Sequence, residues 1–162
     1  MGKKRKEVVI PKEQAVFGLD ARGHWRHMEQ GRFENPRIIA YFHSCIRKDE
    51  QGYYLEQEHP HFREKVYFPY EDTALFVFDV AIKDDDVTLI LNTGRRERLR
   101  PRSLFIANDF LYMHLEGHRV RFTEHALVRI ADLLEFDDEE KISIRVRGRR
   151  YRIPEESAEA ES

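Results

Sequence analysis

The chain has 162 residues, of which 41% are hydrophobic, 12% aromatic and 36% charged. That is enough apolar surface to offset ordering entropy in one domain or two small joined units, and it excludes a wholly disordered chain. A formal net charge of -2 and a single cysteine exclude a globally basic polyanion binder, an internal disulfide framework and multi-cysteine metal sites.

Residues 1–14 read as a basic tail and lead-in, since Met1 to Lys6 is basic without a following apolar h-region. The first repeat unit is expected over 15–72. Asp20 and Gly23 between Phe17 and Trp25 predict a type I turn closing a hairpin. Asn35 then caps a helix from Pro36 to Arg47, with Ile38, Ile39, Phe42 and Ile46 on one face. Tyr53 to Leu55 and Lys65 to Phe68 read as strands joined by a polar loop, Glu56 to Glu64.

Residues 73–102 should form central antiparallel strands. Ala74 to Ile82 is almost continuously apolar, as suits a strand covered on both faces. Asp84 to Asp86 turns it towards Val87 to Asn92, and an arginine-rich stretch follows, Arg95 to Arg102.

A second repeat unit is expected over 103–154. Tyr112-Met113-His114 echoes Trp25-Arg26-His27, and Thr123 caps a helix from Glu124 to Glu135. Leu127, Ile130 and Leu134 match Ile39, Phe42 and Ile46 at one constant offset. A two-residue turn at Arg147-Gly148 pairs Ile144 with Tyr151 and sets Arg145 opposite Arg150. Residues 155–162 read as an acidic disordered tail. The fold class is therefore α+β: two similar hairpin-helix-hairpin units with antiparallel sheets and one helix each.

Leu19 to His27, the Asn35-Pro36-Arg37 helix start, Asp49 to Leu55 with its Gly52-Tyr53 step, and Glu71-Asp72 before the apolar strand carry a likeness. Over roughly residues 15 to 153 the chain resembles the bacterial domain-of-unknown-function 1285 family. The family's threonine-proline step is replaced here by Gln57-Glu58-His59-Pro60. The resemblance implies a repeated α+β fold and a role in signalling, and it brings no catalytic residues with it.

No nucleophile elbow or phosphate-binding glycine loop occurs, and Cys45 reads as inert packing in the first helix. Asp79 interrupts the apolar strand, where a paired structural acid is the simpler reading than a tuned catalyst. His59 and His61 with Glu56 and Glu58 have metal-ligand chemistry, but a loop gives them no rigid frame, and neither metal nor cofactor is expected.

The arginines are more informative: Lys3 to Lys6, Arg95 to Arg102 and Arg145 to Arg152 hold 14 of the 28 Lys and Arg residues. Opposed Arg145 and Arg150 need countercharge, from Asp137 to Glu140 or from an anion.

The sequence reading is thus a cytoplasmic, non-enzymatic ligand-binding or regulatory module. Its small anionic ligand would meet Arg95, Arg96, Arg98, Arg145 and Arg150, with Trp25, His27 and His114 as further candidates and a cleft between the units as the natural seat. A protein partner is the other form of the same reading. The alternative is nucleic-acid binding through the arginine clusters, with Trp25, Tyr53, Tyr54 or Tyr151 as stacking platforms. A hydrolase using Asp79 or the histidines is the third class. No membrane association is expected.

Overall fold

A computed structural model describes residues 6–156. The chain divides into two compact units, Met1–Ala74 and Leu75–Ser162. Both mix short helices with several sheets, so the class is α+β.

The first unit begins with β1 (Lys6–Ile10) and a 3-10 turn at Lys12–Gln14. A small antiparallel meander follows: β2 (Phe17–Leu19), β3 (Trp25–His27) and β4 (Gly31–Arg32). Its first turn forms because Asp20 accepts at Oδ1 from the Arg22 and His24 amides, while the Gly23 amide closes back onto the Asp20 carbonyl.

Helix α1 (Pro36–Ser44) starts where the sequence places it. The Asn35 Oδ1 accepts from the amides of Arg37 and Ile38, which would otherwise be orphaned in the first turn. Replacing Asn35 with Ala should therefore cost about 1 kcal/mol in urea unfolding; an unchanged midpoint would deny the cap its role.

A second antiparallel meander completes the unit: β5 (Ile46–Asp49), β6 (Gly52–Glu58) and β7 (Phe62–Tyr67). The helix thus ends three residues before the expected Arg47. Phe42 and Ile46 have helical spacing, but Ile46 buries itself as a strand residue opposite Leu55, and tertiary pairing overrides local periodicity. The expected loop Glu56 to Glu64 is likewise mostly strand, with its turn at residues 59–61.

The second unit holds a six-stranded sheet in the order β10-β9-β8-β13-β12-β11. Its members are β8 (Leu75–Lys83), β9 (Asp86–Leu91), β10 (Arg96–Arg98), β11 (Leu104–Ala107), β12 (Phe110–Leu115) and β13 (His118–Phe122). Leu75, Phe76 and Val77 are buried on both faces of β8, and a bulge at Val77/Asp79 breaks its register.

Helix α2 (Glu124–Ile130) is capped by Thr123, whose hydroxyl accepts from the Ala126 amide and donates to the Val77 carbonyl. It gives way to a 3-10 turn at Ala131–Leu133 rather than running to Glu135, because Leu134 pairs with Ile144 as a strand residue. The last meander is β14 (Leu134–Phe136), β15 (Ile142–Val146) and β16 (Arg149–Arg152).

The sheets are not wholly antiparallel, as expected from sequence. β1 runs parallel to β7 and β13 parallel to β8, each reached by a long crossover of the kind parallel pairing needs. Part of each expected tail is also structured: Lys6–Ile10 is β1, and Ile106 accepts from the Glu156 amide and bridges Glu155. The remainder of both tails, 1–5 and 157–162, lies outside the described residues. No described helix is long and apolar enough to cross a membrane.

Candidate functional site

The β15–β16 hairpin turns at Arg147 and Gly148, with φ of 55° and 74°. Two successive left-handed residues make a type I′ turn, and glycine at the second position relieves half of that cost. The turn fixes the ladder: Arg149 faces Val146, Arg150 faces Arg145, Tyr151 faces Ile144 and Arg152 faces Ser143.

The Ile153 amide donates to the Ile142 carbonyl, so hydrogen-bonded pairs fall on 149, 151 and 153. The main-chain groups of Arg150 and Arg152 consequently point away from β15. No strand pairs with that outer edge among the described residues.

Beside this edge lies an open depression lined by Arg102, Arg149, Arg150, Tyr151, Arg152 and Pro154. The 3-10 turn at Pro101–Ser103 carries Arg102, whose guanidinium sits 5.5 Å from the Tyr151 ring centre, within reach of a cation–π attraction. Only Arg150 of these four arginines meets a carboxylate within 4 Å among the described residues: its Nε is 3.6 Å from Glu135. Arg152 acts at longer range on Asp137, whose carboxyl is held below its ordinary range first by the Lys141 amide hydrogen bond and also by the charges of Lys141 and Arg152.

The arginines named from sequence are mostly neutralised elsewhere. Arg145 donates from Nε to Glu135 at 2.7 Å, so Glu135 bridges the opposed arginine pair, in place of Asp137 to Glu140 or the anion that the sequence left as alternatives. That hydrogen bond from Arg145 lowers the Glu135 pKa and raises that of Arg145. Arg95 pairs with Glu97 and with Glu116. Arg98 and Arg147 share Asp86, which is lowered first by Arg147 and then by Arg98. Arg96 is exposed on β10 with no ion pair among the described residues.

The aromatic and histidine candidates are engaged elsewhere, Trp25 in the core of the first unit and the histidines in a turn and a surface contact. Trp25 is 1% exposed, and its indole N–H donates to His43 Nδ1 at 3.2 Å. Tyr53 is buried too, so neither ring is a stacking platform, and Tyr54 is covered by the Lys65 ammonium at 4.6 Å. His27 Nδ1 accepts from the Glu29 and Gln30 amides, closing the β3–β4 turn. His114 stacks on Phe105 and lies 3.3 Å from the Glu156 carboxylate.

Asp79 is not buried, as its apolar strand suggested. The β8 bulge leaves its side chain 44% exposed, with His125 at 3.3 Å and Arg129 at 3.5 Å. Cys45 is buried at the end of α1. His59 stacks on Phe62. No three His, Cys, Asp or Glu side chains gather in metal-binding geometry among the described residues.

The arginine-lined edge therefore retains Arg150 from the sequence candidates and adds Arg102, Arg149 and Arg152. The signal for the last two was present in the hairpin register, which sets residues 149 to 152 on an outer strand.

No protein-family model matches the chain, and no curated protein matches it. Two solved structures do. A DUF1285 family protein from Silicibacter pomeroyi DSS-3 shares 17% identity at a TM-score of 0.61, over 93% of this chain and 83% of that one. A DUF1285 family protein from Shewanella baltica OS155 shares 17% identity at a TM-score of 0.53, over 75% of this chain and 94% of that one. At these identities the likeness establishes the fold, which agrees with the family resemblance read from the sequence.

Proposed function

We propose that this chain, with the fold of DUF1285 family proteins, is a non-enzymatic binding and regulatory module that takes an anionic ligand on its second unit. The ligand-binding residues are Arg102, Arg149, Arg150 and Arg152. One observation carries the reading: of four arginines lining one depression, three have no carboxylate within 4 Å among the described residues, whereas Arg95, Arg98, Arg145 and Arg147 are all paired. Arginine forks suit phosphate or carboxylate oxygens, and clustered like charges gain when such an anion arrives. A signalling role in the cytoplasm belongs to the same reading, and a lone buried thiol suits that reducing compartment.

The reading includes a repeat. Each unit carries a three-stranded meander, a capped helix and a second three-stranded meander, with Trp25 and Tyr112 both buried on the middle strand of the first. In each, one residue of the first meander both accepts from and donates to the segment after the last strand. The Leu19 amide donates to Pro69 and its carbonyl accepts from Glu71; Ile106 does the same with Pro154 and Glu156.

Titration of the protein with pyrophosphate at constant ionic strength tests the site. Replacing Arg149 and Arg152 together with Gln should weaken binding at least about tenfold, whereas Arg96→Gln should not. Equal affinity of the double variant and the parent would contradict the assignment.

Nucleic acid is the second reading, favoured by Tyr151, whose ring lies in the arginine-lined depression and could stack a base. It predicts oligonucleotide affinity that falls steeply and log-linearly with salt.

A further inference from the structure

In the first unit, the outer edge of β7 is covered. Strand β1 lies parallel along it, from Lys6 opposite Phe62 to Ile10 opposite Val66. Glu7 on this added strand reaches the Lys65 ammonium on β7 at 3.8 Å.

In the second unit, β16 has the corresponding place. It is the third strand after the helix, and it joins its middle strand in the same register: Tyr67 faces Tyr54, and Arg152 faces Ser143. It also leads into a proline that accepts a hydrogen bond from the first meander, Pro154 from Ile106 as Pro69 from Leu19. Lys65 and Arg150 each stand four residues before that proline. Yet no described strand lies along the outer edge of β16, the edge away from β15.

We propose that β16 receives an added strand from a protein partner: an extended acidic peptide, parallel to β16 as β1 is to β7. Its main chain bonds the outward groups of Arg150 and Arg152, and its carboxylates meet Arg102, Arg149, Arg150 and Arg152. This deepens the anion-site reading above and rests on it.

Three features select this occupant. The edge offers main-chain donors and acceptors in strand geometry, which a peptide matches and a nucleic-acid backbone does not. Arg150 and Arg152 share one face of β16, while Arg149 and Tyr151, with Arg102 above it, share the other, so acidic side chains find arginines on both sides. A second copy of β16 is disfavoured because it would set arginine against arginine across the new pair.

The test uses the full chain and a fluorescent peptide of alternating Glu and Thr. The same sequence built from alternating D- and L-residues keeps the charge but puts successive side chains on one side, so it cannot match the alternating faces and twist of an L-strand, and pyrophosphate and an oligothymidylate complete the set. The all-L peptide should bind at least about tenfold more tightly than the D/L peptide, a loss matching a few main-chain hydrogen bonds. It should also slow amide exchange at Arg150 and Arg152. Equal affinity of the two peptides, with pyrophosphate still bound, would overturn strand addition and leave the anion site standing. Failure of pyrophosphate and both peptides to bind would overturn both, and tighter binding of the oligothymidylate than of the all-L peptide would overturn the peptide in favour of nucleic acid.

Discussion

Trp25→Ala should destabilise the first unit by about 3–5 kcal/mol, the range for removing a fully buried large aromatic. The ring packs edge-on against Phe68 at 4.9 Å, Phe42 at 5.6 Å and Phe17 at 5.9 Å between centroids, so its loss opens a cavity walled by three other rings. It also removes the donor to His43 Nδ1. Urea unfolding followed by circular dichroism measures the effect, since the fluorescent reporter is itself deleted. A loss below about 1 kcal/mol would show that the site collapses and that Trp25 is not the keystone of that core.

Stability should also fall as pH drops from about 6.5 to about 4, with His43 as a principal cause. His43 is 2% exposed, and burial, with a smaller contribution from the charge of His24, pushes its pKa from 6.5 down to about 4. In that window the unfolded chain binds a proton at this position and the folded chain does not. The unfolded state therefore gains as pH falls. The contribution is fully present above pH 6.5 and is lost progressively down to about pH 4, amounting to roughly 3 kcal/mol. The lowered carboxylates Asp86 and Glu135 act with the same sign, but below their ordinary pKa of 3.8 and 4.5, so the upper part of the window belongs to histidine. His43→Asn should flatten the slope between pH 5 and 6.5. An unchanged slope would place the proton uptake on another group.

Much of the local structure was legible because its causes are local. Asp20 and Gly23 close their turn, Asn35 and Thr123 cap their helices, and Arg147-Gly148 sets the β15–β16 register within a few residues of itself. The helix ends were not legible. Ile46 and Leu134 fit a helical period, and only pairing with Leu55 and Ile144 makes them strand residues. β1 is not legible for the same reason, since its partner β7 lies some 56 residues further along.

The site followed the same rule. The arginine clusters are plain in the sequence, but which arginines are free depends on carboxylates brought from afar. Glu135 reaches Arg145 across 10 residues, Glu116 reaches Arg95 across 21, and Asp86 reaches Arg147 across 61. Those pairings engage Arg95, Arg98 and Arg145 and leave Arg102, Arg149 and Arg152 in the depression, and Arg96 on β10, without an ion pair among the described residues.

The most direct test of the anion site at the β16 edge is a residue-resolved map of amide chemical shifts while pyrophosphate is added at constant ionic strength. Saturable changes should concentrate at Arg102 and Arg149 to Ile153, with Arg95 to Arg98 and the Trp25 strand unmoved. Changes centred on Arg95 to Arg98, or scattered non-saturable shifts across both units, would contradict it.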